Sequence, residues 1–231
     1  MQTLPDEQQT ILDGEKETGR LEAFSDGVFA VAITLLVLDV KVIDISPLEK
    51  LPNDEAIWIS LLTHLPQISA FVVSFFTIGI MWLNHHKIFK HIKRTDSGLL
   101  ILNLLLLMII VLIPVPTSLL ANYLFDTSQH AAAIIYSGTF FLMAACFNTL
   151  WRYATHRGRL LGKDANMQEV ASITRQYLFG PALYIIPLVL AFINTPLSAL
   201  AQFLLALFFA LPGRPVRSKS TLVKKKPEAK S

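Results

Sequence analysis

Residues 20–39 read RLEAFSDGVFAVAITLLVLD: a cation, then Ser25 and Asp26, then an almost unbroken apolar run to Leu38. A bilayer core of about 30 Å takes about 20 apolar residues in a helix, so this run is long enough to cross one. Wound at about 100° per residue, Val31, Leu35 and Leu38 fall within about 60° of one another. Gly27, Phe24 and Arg20 extend the same stripe toward the N-terminus, and Thr34 sits on its edge. Ser25 and Asp26 point away from it. Ala23, Gly27 and Ala30 place small residues along one flank, which permits close helix approach. A carboxylate at this depth is costly and needs a partner. Asp26 lies about 9 Å along the axis from Arg20 and well around the helix from it, so the two do not pair on one helix. The candidate partners are Arg20 of a neighbouring helix, or His85 and His86.

The remaining sequence extends this reading to an all-α integral membrane protein with six transmembrane helices. Hydrophobic residues make up 53% of the 231 and charged residues 16%, against roughly 25% charged in soluble domains. After span one (about 21–38), further spans lie within 56–89, with Pro66 splitting off a short leading turn, and at about 99–120, 131–153, 176–193 and 197–211. Asn194, Thr195 and Pro196 alone join the last two, a tight link in which Pro196 suits a turn or the start of a helix. With six spans, all 20 Lys and Arg residues except Lys41 and Lys50 fall on the side of both termini. The positive-inside rule then makes both termini cytoplasmic, in a cell membrane. The expected organisation is a cytoplasmic segment over 1–19, a six-helix domain over 20–213 and a basic cytoplasmic tail over 214–231. That tail reads as a topology anchor, with binding of anionic lipid as the sharper alternative. The acidic N-terminus lacks the basic region of a signal peptide. Cys146 is the only cysteine, so no internal disulfide forms.

Other signals weigh less. Thr77-Ile-Gly79-Ile resembles a fragment of a carbonyl selectivity filter, but it lies inside a continuous apolar span, whereas such a filter needs a non-helical loop. His85 and His86 are adjacent and diverge by about 100° on a helix, which favours a network role for one over a shared metal. Asn103 and Asn148 are read as interhelical hydrogen-bonding groups, with substrate contact as the alternative. Pro114, Pro116, Pro181 and Pro187 mark kinks. No nucleophile elbow or phosphate-binding glycine loop occurs, so the chain is read as neither an enzyme nor a cofactor protein, and nothing in it points to nucleic acid.

Arg20-x-x-x-Phe24-Ser25-Asp26 and the apolar run after it resemble the signature of the transmembrane protein 175 family of endolysosomal-type potassium channels. The resemblance extends to Trp82-x-Asn84-His85-His86 and to the hydropathy of all six spans. Prokaryotic members of that family carry one six-helix unit per chain, as here, which implies a prokaryotic inner membrane. In the family the first helix lines a central pore, and inward aliphatics form a hydrophobic constriction instead of a carbonyl filter. By motif position these are Val31, Leu35 and Leu38, with Thr34 as the polar group beside them. The resemblance also implies that Arg20, Phe24, Ser25 and Asp26 form a network with the second helix around Trp82, Asn84 and His85. It implies potassium as the permeant ion and a homotetramer as the assembly, with membrane lipid as the other partner.

Two further readings compete: a secondary transporter with Asp26 as coupling carboxylate and Asn103 or Asn148 near the substrate, and a membrane-embedded structural protein. The transporter reading lacks an internal repeat and paired broken helices. The topology is directly testable. Cysteines introduced at Asn53 and Lys225 are expected to label from opposite sides of the membrane; labelling from the same side breaks the six-span arrangement.

Overall fold

The computed structural model describes residues 6–39, 52–124 and 130–210. Lys41, Lys50, Asp126 and the basic tail over 214–231 lie outside the described residues, so that part of the charge pattern rests on sequence.

Helix α1 (Asp6–Leu35) closes in a 3-10 turn over Leu36–Asp39. It starts well before the apolar run because Gln, Glu, Lys and Leu there favour helix and no proline interrupts them. This polar extension is tied to the rest of the chain where the Thr95 hydroxyl donates to the Glu17 carboxylate at 2.8 Å. Helices α2 (Asn53–Thr63) and α3 (Leu65–Phe89) part at His64, next to Pro66, whose missing N–H cannot continue the ladder. The expected leading turn is thus a helix of 11 residues. Pro114 breaks the third span in the same way, into α4 (Ser97–Leu112) and α5 (Pro114–Tyr123). Helix α6 (Ala131–Thr155) is uninterrupted. Helix α7 (Met167–Ala191) begins earlier than its apolar run, so Arg175 is helical, and it carries Pro181 and Pro187 without a break. Helix α8 (Thr195–Ala210) follows a short link. There the Asn194 side chain accepts from the Leu197 N–H at 2.8 Å and caps the helix.

Among the described residues, five helical stretches are long and apolar enough to cross a bilayer: Glu17–Leu38, Leu65–Phe89, Ser97–Tyr123, Ala131–Gly158 and Met167–Ala191. Thr195–Phe209 is a shorter sixth. The chain is an all-α, multi-pass membrane protein.

Helix α6 is the hub, packed on α4, α5, α7 and α8, with Tyr136, Phe140, Leu150 and Trp151 fully buried. Polar groups stitch it to its neighbours. Pro181 cannot bond the Tyr177 carbonyl four residues back, and the Asn148 amide donates to that carbonyl instead. Ser198 donates to the Pro187 carbonyl at 2.8 Å, so its oxygen accepts from Ser137 at 2.9 Å. Helix α1, by contrast, packs on α3 and α4.

At the basic end of the bundle the α3–α4 and α6–α7 links are joined. The Lys93 N–H donates to the Leu160 carbonyl at 2.9 Å, and Gly162 N–H to His91 O at 3.1 Å. Asp96 caps α4 through the Leu99 N–H and also accepts from Tyr153 (3.0 Å) and Arg159 (2.7 Å). Gly98 is required here, because a Cβ would lie 2.1 Å from the Tyr153 hydroxyl. His91 stands 3.5 Å from Glu169; burial pushes its pKa down, and the carboxylate opposes that only in part.

Candidate functional site

Helix α1 has two unlike faces. Ser25 (0% exposed), Phe29 (1%), Ala32 (0%) and Leu36 (0%) are sealed within the bundle, whereas Phe24 (57%), Val31 (53%), Leu35 (37%) and Leu38 (76%) lie open to different degrees. Ala23, Gly27, Ala30 and Thr34 belong to the exposed side as well. The stripe found by projection is therefore the uncovered strip. Its last member sits differently from the projection: the helix tightens to 3-10 winding after Leu35, and Leu38 lies within that final turn.

The sealed face is fastened by a directed chain of hydrogen bonds. The Ser25 hydroxyl donates to the Leu21 carbonyl at 2.8 Å, which leaves its lone pairs to accept from the Asn103 amide at 2.9 Å. The Asn103 carbonyl oxygen then accepts from His85 Nε2–H at 2.9 Å. The His85 ring is fully buried, stacked on Phe89 at 4.3 Å between centroids, with Phe29 at 5.4 Å. Beside this chain, the Trp82 indole N–H donates to Asp26 Oδ1 at 2.8 Å. One turn away, His86 Nδ1 lies 2.7 Å from Glu22 Oε1. Glu22 and Asp26 are four residues apart on α1, and Trp82 and His86 four apart on α3. Two antiparallel helices with that matched spacing meet in successive rungs.

The structure thus brings together Ser25, Asp26, Trp82 and His85 of the residues singled out from sequence. It does not bring Arg20, Phe24 or Asn84 to them. Arg20 is exposed, and among the described residues it forms no ion pair. Phe24 belongs to the uncovered strip. Asn84, about 200° around α3 from Trp82, lines a cavity of about 30 Å³ with Met81, Phe147, Tyr177 and Tyr184. Within the chain the hydrogen-bond partner of Asp26 is Trp82, not His85 or His86. Sequence reasoning missed Glu22, and the matched four-residue spacing in the two helices was the available signal. Asn103 and Asn148 both act as interhelical hydrogen-bonding groups. Thr77 and Gly79 lie within α3, and the Thr77 hydroxyl bonds the Val73 carbonyl as in any helix. Among the described residues no cluster of three His, Cys, Asp or Glu is placed to hold a metal.

A family model described as the endosomal/lysosomal potassium channel TMEM175 matches residues 20–114, which hold the whole seam between α1, α3 and α4. A potassium channel of Chamaesiphon minutus is 47% identical over 197 residues, covering 85% of this chain and 95% of that protein. The chain belongs to the TMEM175 family. A potassium channel of Streptomyces collinus is 41% identical over 204 residues, covering 88% of this chain and 96% of that one. The crystal structure of a lysosomal potassium-selective channel TMEM175 homologue from Chamaesiphon minutus superposes with a TM-score of 0.75 at 45% identity, covering 86% of this chain and 99% of that one. The TMEM175 family is one of ion channels, and the fold here matches a solved member over its full length.

In this TMEM175 chain Asp26 faces away from the uncovered strip and fastens α1 to α3. Asp26→Ala is expected to lower oligomer yield and thermal stability, by about 1–3 kcal/mol for the indole N–H left unpaired, and to change ion preference little. Normal yield and flux with altered preference alone would contradict that role.

Proposed function

We propose that the protein is a potassium-conducting cation channel whose pore is lined by α1 in a symmetric homotetramer. The observation that carries this reading is the uncovered strip of α1. A membrane helix that seals one face and leaves small and aliphatic residues along the other is built to meet further copies of itself. One such helix cannot enclose a path, so several copies surround an axis in closed symmetry. The relatives described as potassium channels support potassium as the permeant ion, and none of the residues here implies a cofactor.

In this reading Val31, Leu35 and Leu38 form the constriction, and Thr34 supplies polarity beside it. The Thr34 hydroxyl donates to the Val31 carbonyl at 2.9 Å, which leaves its oxygen lone pairs for a passing cation. Ions are slowed because few groups at an aliphatic ring replace lost hydration, and narrow apolar segments dewet. The basic residues of the α3–α4 and α6–α7 links face the cytoplasm with both termini, and residues 20–213 form the channel domain between the N-terminal segment and the tail. The transporter alternative needs Asp26 on an ion path; its bond to Trp82, on the side away from the strip, speaks against that.

Leu35 and Leu36 separate the faces cleanly, since the first is exposed and the second fully buried. In proteoliposomes, Leu35→Ser is expected to raise potassium flux and to reduce the preference for potassium over sodium. Leu36→Ser is expected to lower stability without that loss of preference. If Leu35→Ser leaves flux and preference unchanged while Leu36→Ser alters them, the pore face has been assigned to the wrong side of α1.

A further inference from the structure

Helix α6 carries a second exposed stripe, remote from the seam that α1 makes with α3 and α4. Ile135, Leu142 and Thr149 recur every seven residues, which keeps them on one side of the helix, and His156 follows at its C-cap; all four are exposed. The stripe is apolar over Ile135 and Leu142 and turns polar and basic at Thr149, Arg152 and His156. Arg152 lies in the last turn of α6 and His156 at its C-cap, and both line the same two grooves. From Leu142 to Arg152 the helix rises about 15 Å, the depth of one leaflet's hydrocarbon.

Two grooves flank this basic pair. One, of about 480 Å³, is lined by Thr149, Arg152, Tyr153, His156 and Arg159. The other, of about 360 Å³, runs between α6 and α7 past Arg152, His156, Thr174 and Leu178. The charges facing the first groove are few. Asp96 is held by Arg159 and Tyr153, with the Arg159 guanidinium 4.8 Å over the Tyr153 ring. That arrangement fixes Arg159 at the rim with donors to spare. Glu169 is turned to His91. Among the described residues Arg152 forms no ion pair. Below the grooves, Leu142 and Leu178 are more than half exposed. An arginine and an imidazole at the membrane boundary, a tyrosine beside them and bare aliphatics beneath complement one molecular shape: an anionic headgroup with its acyl chains.

We infer that the grooves around Arg152 and His156 bind an anionic phospholipid of the leaflet on the basic side. Its phosphate would meet Arg152, His156 and the free donors of Arg159, and its chains would run along Leu142 and Leu178. This site is separate from the pore strip, and it rests on the channel reading only for the name of the leaflet.

The test uses the purified full-length protein and counts bound lipid by native mass spectrometry, with phosphatidylglycerol, phosphatidylcholine or inorganic phosphate added. Phosphatidylglycerol is expected to bind, phosphatidylcholine and phosphate alone to bind weakly. Arg152→Gln with His156→Gln is expected to weaken phosphatidylglycerol by about fivefold or more. Arg152→Lys keeps the charge and is expected to retain binding, as is the tail variant Lys225→Gln with Lys226→Gln. Arg152→Gln alone serves if the double variant fails to fold, with the same direction of effect. Equal phosphatidylglycerol binding by wild type and variant would overturn the site. So would a loss found only with the tail variant, binding of phosphate alone as tight as the lipid, or dissociation of the oligomer on Arg152→Gln, which would make this face a contact between copies.

Discussion

The structure depends on how one helix is held on one side only. Ser25 and Asp26 bind α1 to α4 and α3, and Phe29, Ala32 and Leu36 fill the seam between them. Within a bilayer, apolar contact with a neighbouring helix gains little over contact with lipid, so packing and hydrogen bonds must fix the rotation of a helix. Here a directed chain runs from His85 through Asn103 and Ser25 and ends on the Leu21 carbonyl. The two carboxylates beside it add successive rungs to α3. Rotation of α1 is thereby set, and with it the strip that faces outward.

The rest of the bundle is a support for that seam. Helix α6 packs on α4, α5, α7 and α8, and of these α5 and α7 carry Pro114, Pro181 and Pro187. Where Pro181 removes a backbone donor, Asn148 satisfies the stranded carbonyl, so α7 stays continuous. Where Pro114 follows Ile113, the helix breaks, and α5 restarts with Thr117 bonded to Ser74, which also meets Tyr136 at 3.1 Å. At the basic end Asp96 gathers Leu99, Tyr153 and Arg159, which ties the two links together.

Much of this was legible in the sequence. Long apolar runs fix the spans because every backbone group in a bilayer must be satisfied internally. The period of the helix separates Leu35 from Leu36 with no further information. What the sequence left open were partners. Asp26 needed one, and only the antiparallel register of α1 and α3 selects Trp82 over the two histidines that follow it. Asn84 belongs to the same short motif as Trp82 and His85, yet a shift of about 200° turns it into the cavity beside Tyr177. The polar extension of α1 and the early start of α7 escaped because hydropathy marks where a helix enters the bilayer and not where it begins.

In the proposed channel the uncovered strip of α1 is the wall of the ion path. A cysteine scan of residues 23–38 in a Cys146→Ser background, read as block of potassium flux by a cationic thiol reagent, tests it most directly. Positions 24, 27, 31, 34, 35 and 38 should react and block, while 25, 29, 32 and 36 should stay protected. Block at the second set with none at the first would place the ion path on the other face of α1 and contradict the account.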